Sequence, residues 1–180
     1  MSNGDPLDTP FWTFSLAVYG SPGVAAECLA LQDRYELDVN LLLLAAYAGA
    51  ADGVTLAIDD ISAAFETIAQ WHSDVVRSLR EARRALKPMS EDQGDPLRAA
   101  ASALRTQTQK AEIEAERVEQ AMLWAWMQRH LPKRPHGDRG AALAANLTAV
   151  LAFYRAEADA EQATPNLREA ALRCSADTQR

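Results

Sequence analysis

A regular spacing of side chains between positions 61 and 86 is the feature that most constrains the fold. Alternating steps of four and three residues connect Ile61, Phe65, Ile68, His72, Val75, Leu79, Ala82 and Leu86. Such spacing is typical of a helix that packs along another helix. A second, alanine-rich series of the same kind runs from Leu97 to Ala125, and small side chains let two helix axes approach closely. Together they predict a long antiparallel helix hairpin with a polar loop over residues 87–95.

The rest of the chain also favours helices over strands. Glycine and proline are scarce, and no segment alternates apolar and polar residues for long enough to predict a strand. Capping residues such as Thr9, Asp38 and Asp95 mark helix starts. Helices are therefore predicted near residues 9–19, 22–36, 39–49, 59–87, 96–131, 139–160 and 166–175. We expect an all-α helical bundle in which the three short N-terminal helices pack on the hairpin.

Length and composition are those of an ordinary single-domain protein. The chain has 180 residues, of which 48% are hydrophobic and 24% are charged, enough for one core. We expect a single domain over residues 9–175, with disorder over 1–8 and fraying over 176–180. The longest apolar run, 41–51, is shorter than the roughly 20 residues of a membrane span. Because the N-terminus also lacks signal-peptide features, a cytoplasmic location without membrane contact is predicted.

The charge distribution argues against nucleic-acid binding. The formal net charge is −7, and residues 1–60 carry nine acidic side chains and one basic side chain. General nucleic-acid binding requires a basic surface that displaces counterions. We therefore expect no nucleic-acid partner.

His72 stands in the predicted seam, where an apolar residue is expected. If the hairpin turns near residues 91–92, His72 faces residue 111, and Glu112 or Thr108 lies within its reach. A histidine held by a carboxylate is a common arrangement for a general base. A core histidine satisfied by one hydrogen bond needs no such role, so both interpretations stay open.

Known catalytic and metal-binding patterns are missing from the sequence. It contains no Glu-x-x-His of the kind used by two-metal helical bundles. A nucleophile elbow, a phosphate-binding glycine loop and a CxxC pair are also missing. Cys28 lies among leucines and is expected to be a small buried hydrophobe. We assign no catalytic residue, no metal and no cofactor, and a function without enzymatic activity is favoured.

Basic and aromatic side chains form a candidate interaction face. At about 100° per residue, the stripe of Arg77, Arg80 and Arg84 points away from the seam. Trp12 and Phe11 fall on different sides of the first helix, so one chain does not readily bury both. The candidate face comprises Trp12 and the three arginines. A solvated basic stripe and a core tryptophan are the simpler alternatives.

A block near the N-terminus carries a family resemblance. Its residues are Phe11-Trp12, Phe14-Ser15-Leu16, Tyr19, Pro22-Gly23-Val24, Cys28-Leu29, Leu31-Gln32-Asp33 and Asp38-Val39-Asn40-Leu41-Leu42. Looser matches follow at Trp71, in the arginine-rich run 79–87 and at 114–117. The chain resembles the bacterial domain-of-unknown-function 2390 family over roughly residues 10–120. That resemblance implies a small, cytoplasmic, all-helical protein and brings no reaction, ligand or catalytic residue.

Two polar residues of this block have no local structural role. Asp38 is explained by helix capping, whereas Gln32 and Asp33 stand among apolar neighbours, where polar groups must find partners. We therefore group Gln32 and Asp33 with His72 and Glu112 as a candidate polar site. A buried polar network without a ligand explains them equally well.

Two functions fit these patterns. The first is a non-enzymatic protein-interaction module, adaptor or regulatory, that binds another protein or a second copy of itself as a homodimer. The alternative is a small-ligand-binding protein or enzyme with a polar pocket between the N-terminal helices and the hairpin. The sequence names no small-molecule ligand for that pocket.

Overall fold

A computed structural model describes residues 5–132, 134–156 and 164–177. Within these ranges the secondary structure is helical, without a strand, which confirms the all-α prediction. A π-helix, His72–Arg77, links the fourth and fifth α-helices. The α-helices are α1 Pro10–Tyr19, α2 Val24–Tyr35, α3 Val39–Ala50, α4 Ile58–Trp71, α5 Ser78–Ala85, α6 Lys87–Glu91, α7 Arg98–His130, α8 Arg139–Phe153 and α9 Pro165–Asp177.

Parts of three sequence-based predictions lie outside the described residues. These parts are the disorder of residues 1–4, the fraying of 178–180 and the helix over 157–160. No single helix in the described ranges has both the length and the apolar character of a membrane span. Helices α1 and α2 meet those criteria only as a pair bent by 97°.

The chain divides into two compact units. The first comprises the described residues up to Thr67 and those from Gln120 onward, and the second is Ile68–Glu119. The packing of the N-terminal helices on the hairpin stays a prediction.

Local capping explains where several helices begin. The Thr9 hydroxyl accepts the Trp12 N–H at 3.0 Å, with Pro10 in the first turn of α1. Asp38 caps α3 by accepting the N–H groups of Asn40 and Leu41, at 2.7 and 3.2 Å. Helix α2 differs from the expected start at Ser21-Pro22, because it begins after Gly23, whose φ of +83° is readily adopted only by glycine.

Helix α3 forms the centre of the first unit. Its residues from Leu41 to Ala46 are all buried, and it packs against α8. Gly49 permits the close approach, since a Cβ atom there would lie 2.5 Å from the Leu143 Cα. Tyr47 contributes edge-to-face contacts with Phe14 and Trp124 at ring-centroid distances of 5.1 and 5.8 Å.

A buried asparagine joins three segments of this unit. Asn146 on α8 is fully buried. Its Oδ1 accepts the Leu56 N–H at 2.7 Å, and its Nδ2 donates to the carbonyl oxygens of Ala45 and Val54 at 3.1 and 2.9 Å. The side chain therefore satisfies two backbone groups of the extended segment after α3, and it ties that segment to α3 through an additional bond to the Ala45 carbonyl oxygen.

Helix α9 is attached through a carboxylate on α2. Glu27 Oε1 accepts the Asn166 N–H, and Oε2 accepts the Leu167 N–H, each at 2.9 Å. These are N–H groups of the first turn of α9, which lack partners within the helix. Cys28 beside Glu27 is fully buried, and burial, with a smaller effect of the Glu27 charge, raises the pKa of its thiol to about 12. The thiol is therefore not activated, as predicted.

Candidate functional site

A π-helix interrupts the α-helical structure near the start of the second unit. Residues His72–Arg77 form a π-helix between α4 and α5. A π segment is usually an α-helix with one inserted residue, and such segments are frequent at functional sites. One inserted residue rotates the following side chains by about 100° relative to an uninterrupted helix. The π-helix thus decides which face of α5 meets α7.

This rotation shifts the predicted seam by one residue. Val76 is fully buried instead of Val75, and Ala82 is exposed. Arg80 and Arg83 turn inward, with side chains 14% and 24% exposed. Arg80 therefore does not belong to the solvated stripe that the sequence predicted.

Arg77 and Arg84 are exposed, as the sequence predicted. They stand three residues before and four residues after the inward-facing Arg80, so they flank the seam and do not face directly away from it. Ile68 is fully buried and precedes the π-helix, so its predicted position is unaffected by the rotation.

The second unit consists of two helical arms, the first over residues 68–91 and the second over the part of α7 up to Glu119. The turn between the two arms lies later than predicted. Pro88 occupies the first turn of α6, where its missing N–H is tolerated, so the first arm continues to Glu91. Asp95 instead forms the turn, because its side chain accepts the Leu97 N–H at 2.7 Å just before α7 begins. Moving the turn by about four residues shifts the opposing residue on α7 by about eight.

The contacts between the arms follow from that register. His72 contacts Glu119, whereas Arg80 and Arg83 further along the first arm contact Glu112. Residues later in the first arm contact residues that are earlier in α7, so the two arms are antiparallel. His72 and Glu112, which the sequence placed together, belong to separate contacts.

Glu112 is the centre of a largely buried ion-pair cluster. Arg80 donates from Nε to Glu112 Oε1 at 3.1 Å and from Nη2 to Glu116 Oε1 at 2.8 Å. Arg83 donates from Nη2 to Glu112 Oε1 at 3.2 Å and from Nε to Oε2. The Glu112 side chain is only 7% exposed, so two guanidinium groups compensate the burial of one carboxylate.

Electrostatics keep this cluster ionised. Burial raises the pKa of Glu112, but hydrogen bonds from Arg83 and Arg80 outweigh burial and lower the pKa overall. For Arg80, burial lowers the pKa, and the hydrogen bonds and charges of Glu112 and Glu116 raise it overall. A cluster that stays charged at neutral pH suits a structural role, such as fixing the register of the arms. It does not suit proton transfer.

A second polar pair lies at the other end of the seam. The His72 Nδ1 lies 3.1 Å from Glu119 Oε2, with the two side chains 13% and 0% exposed. Trp71 donates from Nε1 to the Ala115 carbonyl oxygen at 3.0 Å. A buried carboxylate thus orients an imidazole at the first residue of the π-helix, an arrangement able to hold or move a proton.

The other predicted site residues lie in the first unit. Gln32 is half-buried and Asp33 is exposed, both on α2. Trp12 is half-buried on α1, while Phe11 beside it is fully buried. These positions leave open the roles proposed for Gln32, Asp33 and Trp12.

Sequence reasoning missed a buried amide pair in the first unit. Gln120 Nε2 donates to Asn40 Oδ1 at 2.8 Å, and the two residues are 3% and 8% exposed. Asn40 is a polar residue among the apolar residues of the N-terminal block, and this position was a usable signal of a buried hydrogen bond. Gln120 lies in a long helix with many polar residues and gave none.

The fold and the seam define a class: an all-helical protein with a two-helix unit held by buried ion pairs. The chain belongs to the family described as "Protein of unknown function (DUF2390)", whose model matches residues 10–123. That match covers more than half of the chain and includes α1 to α6. No curated protein and no solved structure matches the chain.

The π-helix leads to a test by deletion. Removing the exposed Ser73 should convert the segment to α-helix and keep Arg80 and Arg83 facing Glu112, because the deletion takes out the inserted residue. We expect the free energy of unfolding to change by less than about 1 kcal/mol. Inserting an alanine after Leu79 instead should rotate Arg80 and Arg83 by about 100° away from Glu112 and cost at least about 2 kcal/mol. Urea denaturation measures both, and equal losses would contradict the inserted-residue explanation.

Proposed function

We propose that this protein is a non-enzymatic protein-interaction module, adaptor or regulatory, acting in the cytoplasm. Its docking element is the second unit. One observation carries the proposal: Leu97 and Leu104 of that unit are 59% and 51% exposed. Large apolar side chains that stand together in solvent are typical of binding surfaces. The seam beside them is filled by ion pairs, so these leucines are not used to hold the two arms together.

The four residues of the candidate interaction face predicted from the sequence have different roles in this proposal. Arg80 is engaged with Glu112 and Glu116 and is not offered to a partner. Arg77 and Arg84 are exposed and remain candidates for secondary, charge-dependent contacts. Trp12 remains a candidate contact of the first unit.

Site-specific photo-crosslinking in living cells tests the proposal. A photoreactive amino acid in place of Leu104 should give a crosslinked protein adduct. The matched control is Ile113, which is also on α7 and 43% exposed but lies about 180° away around the helix. We expect no adduct from position 113. Absence of any adduct at position 104 would overturn the proposed function.

A second candidate, binding of a small ligand, is favoured by the His72–Glu119 pair at the start of the π-helix. Thermal denaturation with a metabolite library tests it on the wild type and on His72→Ala. A compound that raises the melting temperature of the wild type and not of the variant would support this candidate. Equal responses of the two proteins would count against it.

A further inference from the structure

One side of the second unit has no charged residue along about half of each arm. On the first arm, residues 75–86 place six side chains on this side: Val75, Ser78, Leu79, Ala82, Ala85 and Leu86. On the second arm, residues 97–107 contribute Leu97, Ala100, Ala103, Leu104 and Gln107. Charged side chains of the same stretches all fall on the seam or on the opposite side. We name these eleven residues the uncharged side.

Helix geometry places both sets on the same side of the unit. Leu79 precedes the inward-facing Arg80 by one residue, and Leu104 precedes the half-buried Arg105 by one residue. One step back along a helix is a rotation of about 100°. Because the arms are antiparallel and face each other, this rotation turns both leucines to the same side of the plane through the two axes.

The uncharged side is largely open to solvent. Leu97 and Leu104 are more than half exposed, and Leu79 and Leu86 are half-buried. The four alanines on this side are also exposed: Ala82, Ala85, Ala100 and Ala103. Leucines standing between alanines form ridges and grooves of the kind that pack against another pair of helices.

We propose that a second copy of this chain covers the uncharged side, so that two second units form a four-helix bundle with two-fold symmetry. This inference rests on the proposed function and names its partner. A two-fold interface needs one surface that fits itself. Two matched apolar arms with alternating large and small side chains meet that requirement.

Charge also favours a second copy. The sequence of residues 68–119 carries nine acidic and nine basic side chains, whereas the rest of the chain carries sixteen acidic and nine basic. A partner selected by positive charge would be attracted to the acidic first unit. Two second units bring no net charge together, and their uncharged sides meet without burying an ion.

The uncharged side supplies part of the area of a standard dimer interface. Its stretches of twelve and eleven residues are about 18 and 16 Å long, and two adjacent helices are about 20 Å wide, so its flat footprint is about 350 Å². Each partner buries ~800 Å² in a standard interface, and the flanking parts of the two arms supply the remainder.

The test compares two matched variants of the full-length protein by sedimentation equilibrium. The wild type should be a dimer. Leu104→Glu should raise the dimer dissociation constant at least about a hundredfold, because a symmetric interface buries the new carboxylate twice. Ile113→Glu makes the same chemical change on the opposite side of α7 and should leave the dissociation constant unchanged. Circular dichroism checks that both variants remain helical.

Three outcomes would overturn the second-copy inference. A monomeric wild type is the first, and equal weakening by the two variants is the second. The third is a monomer that co-sediments with phosphatidylcholine–phosphatidylglycerol vesicles, which would assign the uncharged side to a membrane. A monomeric wild type that crosslinks in cells from position 104 to a different protein would overturn this inference alone and leave the proposed function in place.

Discussion

Replacing Asn146 by alanine should remove a large part of the stability of the first unit. The side chain is fully buried and makes three hydrogen bonds to backbone groups of Ala45, Val54 and Leu56. Its loss leaves the Leu56 N–H and the Val54 carbonyl oxygen without partners in an apolar core, at about 1–3 kcal/mol for each unsatisfied group. Allowing for relaxation, we expect the free energy of unfolding to fall by about 3–5 kcal/mol. Urea denaturation followed by circular dichroism measures it.

A control and a local readout make the Asn146 prediction specific. Thr148→Ala, also on α8, removes an exposed hydroxyl that donates to the Ala144 carbonyl oxygen, and should change stability by less than about 0.5 kcal/mol. In Asn146→Ala, the amide hydrogen of Leu56 loses its acceptor and should exchange faster than in the wild type. A stability loss below about 1 kcal/mol, or an unchanged Leu56 exchange rate, would contradict the bridging role.

Local signals predicted the elements of the fold well. The cap at Asp38 and the proline at position 10 act within one helical turn, so the sequence alone locates the helix starts. The described helices accordingly begin within about two residues of the predicted positions. Asn146 also had an unused signal. It lies on the same face of α8 as Leu143, Leu147 and Val150, where a polar side chain requires buried partners.

The pairing between the arms was not predictable to the same degree. The spacing from Ile61 to Leu86 continues without a visible break, although the helix contains an inserted residue at 72–77. The choice between Leu79 and Arg80 as inward-facing residue depends on that insertion. A proline such as Pro88 can follow the end of a helix or occupy the first turn of the next one. The sequence-based prediction took the first possibility, so both the turn and the partner of His72 were placed wrongly. These choices are made by tertiary pairing.

Both features that distinguish the second unit therefore have one origin. Insertion of a residue at the π-helix turns Arg80 and Arg83 toward α7, and it turns Leu79 and Ala82 toward the uncharged side. The seam then gains ion pairs that fix the register, while apolar side chains that normally join two helices become available to a partner. A buried ion pair contributes more to a unique register than to stability, and a unique register is what the proposed docking role requires.

Glu112→Gln should destabilise the second unit strongly at neutral pH and weakly in acid. The substitution leaves the Arg83 guanidinium without its carboxylate partner and leaves Arg80 with Glu116 alone, although both arginine side chains are less than a quarter exposed. We expect a loss of about 2–4 kcal/mol at pH 7. Because the pKa of Glu112 is lowered in the folded state, its contribution is complete above the unfolded-state pKa of about 4.3. It disappears as the pH falls through the lower folded-state value.

Urea denaturation of the wild type and Glu112→Gln between neutral pH and pH values below the unfolded-state pKa measures this difference. The gap between the two proteins should narrow as Glu112 becomes protonated. Glu114→Gln is the matched control, because its side chain is 65% exposed on the same helix, and it should change stability by less than about 0.5 kcal/mol. A Glu112→Gln protein as stable as the wild type at pH 7, or a gap that widens in acid, would show that the ion-pair cluster does not hold the arms in register.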